Sequence, residues 1–464
     1  MTANDLLAVV PEMVLGALGM VLVVLATVRT RPQLAYFAGA LGLVPALGSL
    51  VFDLRAPVAA AFVGTYRLDG YGLAAKAVAI AFGAVAIAAM RGDLEGSPRA
   101  TEAPAFVVFG TLAACLLVEA QDLALIAVAL TMLGAAVYGL LGTAPRSVRA
   151  AEAALKFFVL SALTGAVTLY GFGMLFGLGR SLDEATLATR LAAIPPVVVA
   201  FAAMAACAAF VFESALVPIA EWAPDVYQGA PTSVTLWLSV VPKTAALVAF
   251  ARLVSTALQG QLEAVVIAVG VVAVASQFWG NLAAYAQRDL KRMLAYSGIA
   301  QAGFMASALA VSARSSSAFD ALLLYVAAYA AMNGLAFASV LAIERRFGVT
   351  TIDGLSGVGG GAPWLALALT TALLSLAGFP PFVGFAAKVA LLQATFSGHE
   401  PWLGISIAVN SVLSLGYYLG PIARIWTGTP FPARRAVRAG TVAIVVTAVA
   451  NVVLGLAPQL AIPR

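Results

Sequence analysis

Apolar residues run along this chain rather than alternate. Stretches of about 20 residues rich in Ala, Leu, Val and Ile recur throughout its length, and each is long enough to cross bilayer hydrocarbon. Where water cannot reach the backbone, only helices or a closed barrel satisfy its N–H and C=O groups. Continuous runs without period-two alternation select helices. The predicted spans cover residues 9–28, 33–52, 70–90, 104–119, 123–142, 155–178, 195–217, 232–256, 262–282, 293–312, 320–343, 362–396, 403–426 and 438–458. The expected fold class is therefore all-α, a polytopic membrane protein of about 14 transmembrane helices. The run 362–396 is too long for one straight helix, and Pro380 and Pro381 interrupt it. Two half-helices with an unwound middle are expected there, because proline removes a backbone donor.

Composition agrees. Of 464 residues 62% are hydrophobic and only 10% charged, with mean hydropathy +1.00, whereas soluble domains carry about 25% charged residues. Cys115 and Cys207 lie in separate apolar spans, and the one histidine, His399, sits in a polar turn. No spacing suits a metal or an iron–sulfur cluster. The glycine-rich GVGGGAP at 357–363 reads as a connector rather than a nucleotide loop.

The net charge of +5 needs no nucleic acid to explain it, since basic loops orient a membrane protein and meet anionic lipid. Asp5 and Glu12 precede the first apolar run, where a signal peptide would need a basic region. Arg29 and Arg31 follow it. With the N-terminus outside, inward-facing loops hold 16 of the 26 lysines and arginines and outward-facing segments hold 7. This bias predicts that both termini lie outside.

Three ionisable residues fall inside apolar runs. Glu213 lies in AACAAFVFESALVP, Lys243 in LWLSVVPKTAALVAF and Lys388 in FPPFVGFAAKVALLQ. A charge at mid-bilayer costs about 3 kcal/mol on insertion scales, so it must face a bundle interior or a wet cavity. One such residue can be a snorkelling or structurally paired charge. Three together, two beside prolines, point to an ion path.

The segments ALVPIAEWAPD, with Pro218 and Pro224, and LAGFPPFVGFAAK are both Pro-interrupted and lie five spans apart. An odd displacement inverts topology, so two oppositely oriented five-helix repeats containing broken helices are expected. Paired broken helices are a sequence pointer to a mid-membrane transport site. The single membrane domain 1–464 then divides into three N-terminal helices (1–102), a first repeat (103–260), a second repeat (261–428) and a C-terminal helix (429–464).

At these residues the sequence resembles a known family. WAPDVYQGAPTSV (222–234), GNLAAYAQRDLKRMLAYSGIAQAGFM (280–305), AGFPPFVGFAAK (377–388), EAALKFFVLSALTGAVTLYG (152–171) and PEMVLGALGM near the N-terminus are similar to the antiporter-like membrane subunits of proton-translocating NADH–quinone oxidoreductase, respiratory complex I. PDVYQG favours the subunit N group. The resemblance implies a fourteen-helix subunit of the membrane arm in a bacterial plasma (inner) membrane. It implies proton translocation driven by quinone reduction elsewhere. It implies no cofactor bound by this chain: NADH, flavin, Fe–S clusters and quinone belong to other subunits. The implied partners are other membrane-arm subunits, the lipid bilayer, and protons with internal water.

The resemblance also assigns residues. Lys243 matches the family's lysine in the eighth span, and Lys388 the lysine after the second broken helix. Two positions depart. Thr131 stands where the family usually has glutamate, and Glu213 where it usually has lysine. Ala220 and Gln301 replace frequent histidines. Glu213 and Lys243 are therefore expected to pair directly, as a broken-region and a straight span brought side by side. Lys388 is expected as the terminal proton site, and Ser297 and Gln301 as neutral groups holding relay water. Lys76 and Asp69 match family positions, with snorkelling an equal reading for Lys76. Glu119 is expected near the surface. Glu152 and Lys156 are spaced for an i,i+4 ion pair, and Arg288, Asp289, Lys291 and Arg292 read as a cytoplasmic anchor. A weakly pumping structural paralogue and a free-standing cation/proton antiporter are the alternative functions.

Overall fold

The structure is a computed structural model describing residues 3–28, 32–55, 60–94, 97–145, 147–430 and 440–462. Arg29, Arg31, Arg146, Arg434, Arg435, Arg438 and Arg464, all used in the charge asymmetry, lie outside the described residues.

Helix dominates. The chain opens with α1 (Ala3–Leu7), α2 (Val10–Thr27), α3 (Pro32–Arg55), α4 (Gly70–Met90), α5 (Ala103–Glu119) and α6 (Leu123–Leu141). The long α7 (Val148–Gly179) is followed by α8 (Glu184–Leu191), α9 (Pro196–Ala206), α10 (Ala208–Glu213), α11 (Trp222–Gly229), α12 (Thr232–Leu238) and α13 (Val241–Ser255). Then come α14 (Leu262–Tyr285), α15 (Leu290–Ala310), α16 (Ala318–Phe347), the single turn α17 (Val358–Gly361), α18 (Pro363–Ala377), α19 (Val383–Ser397), α20 (Pro401–Ile425) and α21 (Thr441–Leu456). One two-stranded antiparallel hairpin, Ala60–Ala61 with Tyr66–Arg67, is the sheet among the described residues.

Among the described residues, 11 stretches are long and apolar enough to cross a membrane, so the chain is a multi-pass membrane protein. The expected break at Pro380–Pro381 is present as the gap between α18 and α19. The seventh apolar run ends at Glu213, and the chain is irregular until α11. The eighth span, expected straight, is interrupted as well: α12 ends at Leu238 and α13 restarts at Val241. Pro242 explains this, because its missing N–H is tolerated in the first helical turn and not within a helix. Lys243 therefore lies in the first turn of a helix.

Burial orders the helices from centre to rim. The α12–α13 pair and α15 bury 100% of their spanning windows and α16 buries 94%, whereas α2 and α7 bury only 28%. The rim is apolar: α7 exposes Leu155, Phe158, Leu163, Leu169, Tyr170 and Phe176, as lipid or a neighbouring subunit requires. Small residues allow close approach. A Cβ at Gly171 of α7 would lie 2.1 Å from the Ala206 backbone N of α9, so only glycine fits there.

At one end of the bundle Arg252 clasps Asp69 through two bonds of 2.9 and 2.5 Å. Burial pushes the Asp69 carboxyl up, but the Arg252 hydrogen bonds outweigh it and hold the group below its ordinary range. Nearby Glu184 accepts from the Thr256 hydroxyl. Burial pushes its carboxyl up to about 7, against the Thr256 bond and the Arg252 charge. An unfolded glutamate titrates at about 4.3. Between these values the folded protein binds more protons than the unfolded chain, so this contribution is complete at low pH and lost as pH rises. The slope is at most about 1.4 kcal/mol per pH unit. Glu184→Gln should flatten the thermal-stability profile in detergent across this window; an unchanged slope would reject the assignment.

Candidate functional site

The central helices gather the predicted residues in two groups. Lys243, 1% exposed, donates from Nζ to the Gly298 carbonyl oxygen of α15 at 2.7 Å. A helix carbonyl has a second lone pair to offer. The Nζ also lies 5.6 Å from the centre of the Tyr329 ring, within cation–π range. Gly298 makes the contact possible, since a Cβ there would stand 3.0 Å from the Tyr329 hydroxyl and 3.2 Å from the Lys243 Nζ.

Lys388 is held in a similar way. The break after α18 leaves the last carbonyls of that helix without intrahelical partners. The Ala377 oxygen accepts from Lys388 Nζ at 2.9 Å, and the Leu376 oxygen accepts from Gln301 Nε2 at 3.1 Å. A cation suits a helix C-terminus. Gly378 adopts φ +91° and lies against the lysine stem, where a Cβ would meet Cδ at 2.9 Å. The Phe304 ring centre is 5.0 Å from Nζ.

Between the lysines lies a buried polar hub. Ser297 and Tyr418 share a hydroxyl–hydroxyl bond of 2.5 Å. Gln301 Nε2 also reaches the Tyr418 hydroxyl at 3.2 Å, and Tyr325 donates to Gln301 Oε1 at 2.5 Å. Ser297 and Gln301, expected as neutral groups holding relay water, are thus bonded to protein partners. Tyr418 and Tyr325 were missed by sequence reasoning, although Tyr325, Tyr329 and Asn333 mark one face of α16 at i, i+4 and i+8 spacing.

Glu213 stands apart, which corrects the expected direct pair with Lys243. Among the described residues no ion pair joins them. Glu213 is 4% exposed, and its Oε2 has no hydrogen-bond partner. It lines a cavity of about 340 Å³ with Thr131, Gly134, Ser161, Thr164 and Thr168, opening between α6 and α7. Thr131 is exposed at the rim and returns its hydroxyl to the Ala127 carbonyl at 2.8 Å. It does not face Lys243. The buried hydroxyls of Tyr227 and Tyr329 have no hydrogen-bond partner, and the Tyr329 ring lies beside Lys243.

Other expectations divide. Lys156 pairs with Glu152 at 2.7 Å as spaced, but also with Asp225 at 2.6 Å. Arg292 meets the other Asp225 oxygen at 2.5 Å, so the WAPD segment is tied to α7 and α15. Partial burial pushes the Asp225 carboxyl up, but the Lys156 and Arg292 bonds outweigh it and hold it low. Lys291 is no surface anchor: it is buried and donates to the Ala230 carbonyl at 2.9 Å. Lys76 does not snorkel and Glu119 is not near the surface; both are 0% exposed.

Comparison with known proteins gives one consistent result. The family described as NADH:quinone oxidoreductase/Mrp antiporter, TM, matches residues 120–414. NAD(P)H-quinone oxidoreductase subunit 2 of Prochlorococcus marinus (strain MIT 9312) is 35% identical over 435 residues, covering 93% of this chain and 85% of the relative. NADH-quinone oxidoreductase subunit N 1 of Streptomyces griseus is 36% identical over 418 residues, covering 90% and 88%. A chain of respiratory complex I from Thermus thermophilus with bound aureothin superposes with a TM-score of 0.81 at 32% identity, covering 97% and 98%. A chain of the Mrp complex from Dietzia sp. DQ12-45-1b reaches 0.87 at 21% identity over 99% and 96%, a likeness of fold.

The seat of Lys243 can be probed without any assay of function. Gly298→Ala places a methyl group against the Lys243 Nζ and should destabilise the protein by about 1–3 kcal/mol, the usual cost of overpacking. Gly165→Ala, where a Cβ meets nothing within 4 Å, is the control and should be close to neutral. Equal thermal stability of the two variants in detergent would show that the Gly298 contact is not tight.

Proposed function

As the chain belongs to the NADH:quinone oxidoreductase/Mrp antiporter family of transmembrane subunits, we propose that it is a proton-translocating subunit in the membrane arm of an NADH–quinone oxidoreductase. On this reading electron transfer and quinone reduction take place in other subunits, and this chain supplies no redox chemistry. Its neighbours are other membrane-arm subunits, consistent with the larger complexes named for its structural relatives. Both termini face outside.

One observation carries the reading. Two lysines inside the bundle, Lys243 and Lys388, are each seated on a backbone carbonyl and on no carboxylate. Lysine can give up and regain a proton where arginine stays charged. Lys243 transfers charge toward Lys388 by way of Ser297, Tyr418 and Gln301, whose hydroxyl and amide groups are bonded to one another and to the Leu376 carbonyl next to the Lys388 acceptor. Glu213 feeds this axis from the cavity at Thr131, by way of the free hydroxyls of Tyr227 and Tyr329. The divisions 1–102, 103–260, 261–428 and 429–464 assign Glu213 and Lys243 to the first repeat and Lys388 to the second.

A structural, weakly pumping role is the second reading. The peripheral orientation of Thr131 and the distance of Glu213 from Lys243 favour it. Proton uptake by vesicles containing the assembled complex separates the two. Lys243→Ala and Lys388→Ala should each lower the rate of proton uptake by about a hundredfold or more, the scale of a lost proton-transfer group, and arginine at either position should not rescue it. Pumping at the original level in both alanine variants would leave the structural reading. Glu213→Gln should slow uptake only if protons enter from that cavity.

A further inference from the structure

The N-terminal helices hold a second buried charge cluster, remote in sequence from the Lys243–Lys388 axis. Lys76 of α4 points its Nζ at three carboxylates from three other helices. Glu12 Oε1 of α2 lies at 2.9 Å, Asp53 Oδ2 of α3 at 2.9 Å and Glu119 Oε2 of α5 at 2.6 Å. The side-chain exposures are 0% for Lys76 and Glu119, 3% for Asp53 and 6% for Glu12. Tyr66 donates its hydroxyl to Glu12 Oε1 at 2.7 Å, and its ring centre lies 5.1 Å from Nζ.

Three carboxylates around one ammonium leave two negative charges without a counter-charge if every group is ionised. Isolated charge in a low-dielectric interior is costly and is normally removed by neutralisation. Four carboxylate oxygens also remain without hydrogen-bond partners: Glu12 Oε2, Asp53 Oδ1 and both oxygens of Glu119, whose Oε2 meets Lys76 as an ion pair. An added metal ion is a poor remedy. The lysine nitrogen already fills the position that the carboxylates converge on, and no group of acidic, histidine or cysteine residues suited to a metal occurs among the described residues. A proton on a carboxyl removes a charge and turns an idle acceptor into a donor.

Every element packed around the cluster is accounted for. The facing groups are Glu12, Asp53, Lys76, Glu119, the Tyr66 hydroxyl and the Cys115 thiol, one turn before Glu119. Asp69, the N-cap residue of α4, is already engaged by Arg67 and Arg252. Access exists: Glu12 and Tyr66 line a cavity of about 590 Å³ that also reaches Asp122 and Thr65.

We propose that Glu12, Asp53 and Glu119 form an internal proton-binding site around Lys76, holding at least one proton and exchanging it with water through the cavity at Glu12. Release breaks one carboxyl O–H bond, leaving a carboxylate beside the ammonium and passing the proton to water. Such groups titrate together, so the proton belongs to the cluster and not to one residue. The proposal stands whether or not the chain pumps.

Infrared difference spectroscopy on the assembled complex in lipid tests it. At neutral pH the wild-type minus Glu119→Gln spectrum should contain a protonated-carboxyl C=O band that shifts down in D2O, because the variant has one negative charge fewer to neutralise and binds one proton fewer. Lys76→Met should enlarge the band, since it removes the only cation. If Glu119→Gln does not assemble, Glu12→Gln at the cavity edge gives the same readout. Absence of the band from every variant difference spectrum would overturn the proposal. So would a band seen only without sodium and abolished by adding it, which would identify a cation site.

Discussion

Lipid offers no partner to an ammonium group or to a broken backbone, and in this protein the two needs meet. The C-terminus of α18 presents carbonyls that its helix cannot use. Lys388 and Gln301 take two consecutive ones, Ala377 and Leu376. The helix break and the intramembrane lysine are therefore one feature. Closing the break would remove the lysine's acceptor, and removing the lysine would leave a carbonyl unpaired in a region where that costs several kcal/mol. Lys243 follows a related logic: Pro242 interrupts its span, and the carbonyl it uses belongs to α15, whose spanning window is fully buried.

The protein builds two contrasting environments for lysine. Lys76 is surrounded by more negative charge than it can balance. Lys243 and Lys388 are bonded to dipoles only, with aromatic ring faces beside them. A dipole stabilises a cation without cancelling it, so the net charge of each site changes whenever the proton moves. A neighbour's field can then act on that charge, because interactions strengthen where the dielectric is low. An ion-paired lysine would present little net charge to its neighbours. The carbonyl seats therefore suit groups that respond to charge movement elsewhere in an assembly.

Much of this was legible in the sequence, and the rest was not, for identifiable reasons. The length and continuity of the apolar runs located the helices, and Pro380–Pro381 located the break beside Lys388. Pro242 carries the same signal for the eighth span, but it stands inside an otherwise continuous apolar run, where a proline can also merely kink a membrane helix. The Glu213–Lys243 pair failed because adjacency of spans does not fix their rotation: Glu213 turns to the α6–α7 cavity and Lys243 to Gly298. The companions of Lys76 could not be found locally, since Glu12, Asp53 and Glu119 come from three separate helices. Tyr325 and Tyr329 stand four apart on α16, a spacing that core packing shares and that does not by itself mark a hydrogen-bonding face.

The exchange of residue types at Thr131 and Glu213 gains a physical sense from their places. Thr131 needs no charged partner, because it lies at the rim and bonds its own helix. Glu213 keeps an idle carboxylate oxygen on the cavity wall, and the hydroxyls of Tyr227 and Tyr329 are idle too. Buried hydroxyls without partners carry a penalty of about 1–3 kcal/mol each. Of these groups, Glu213 lines the cavity and the Tyr329 ring lies beside Lys243. The idle groups lie on the Glu213 side, whereas Ser297, Tyr418 and Gln301 are bonded to one another.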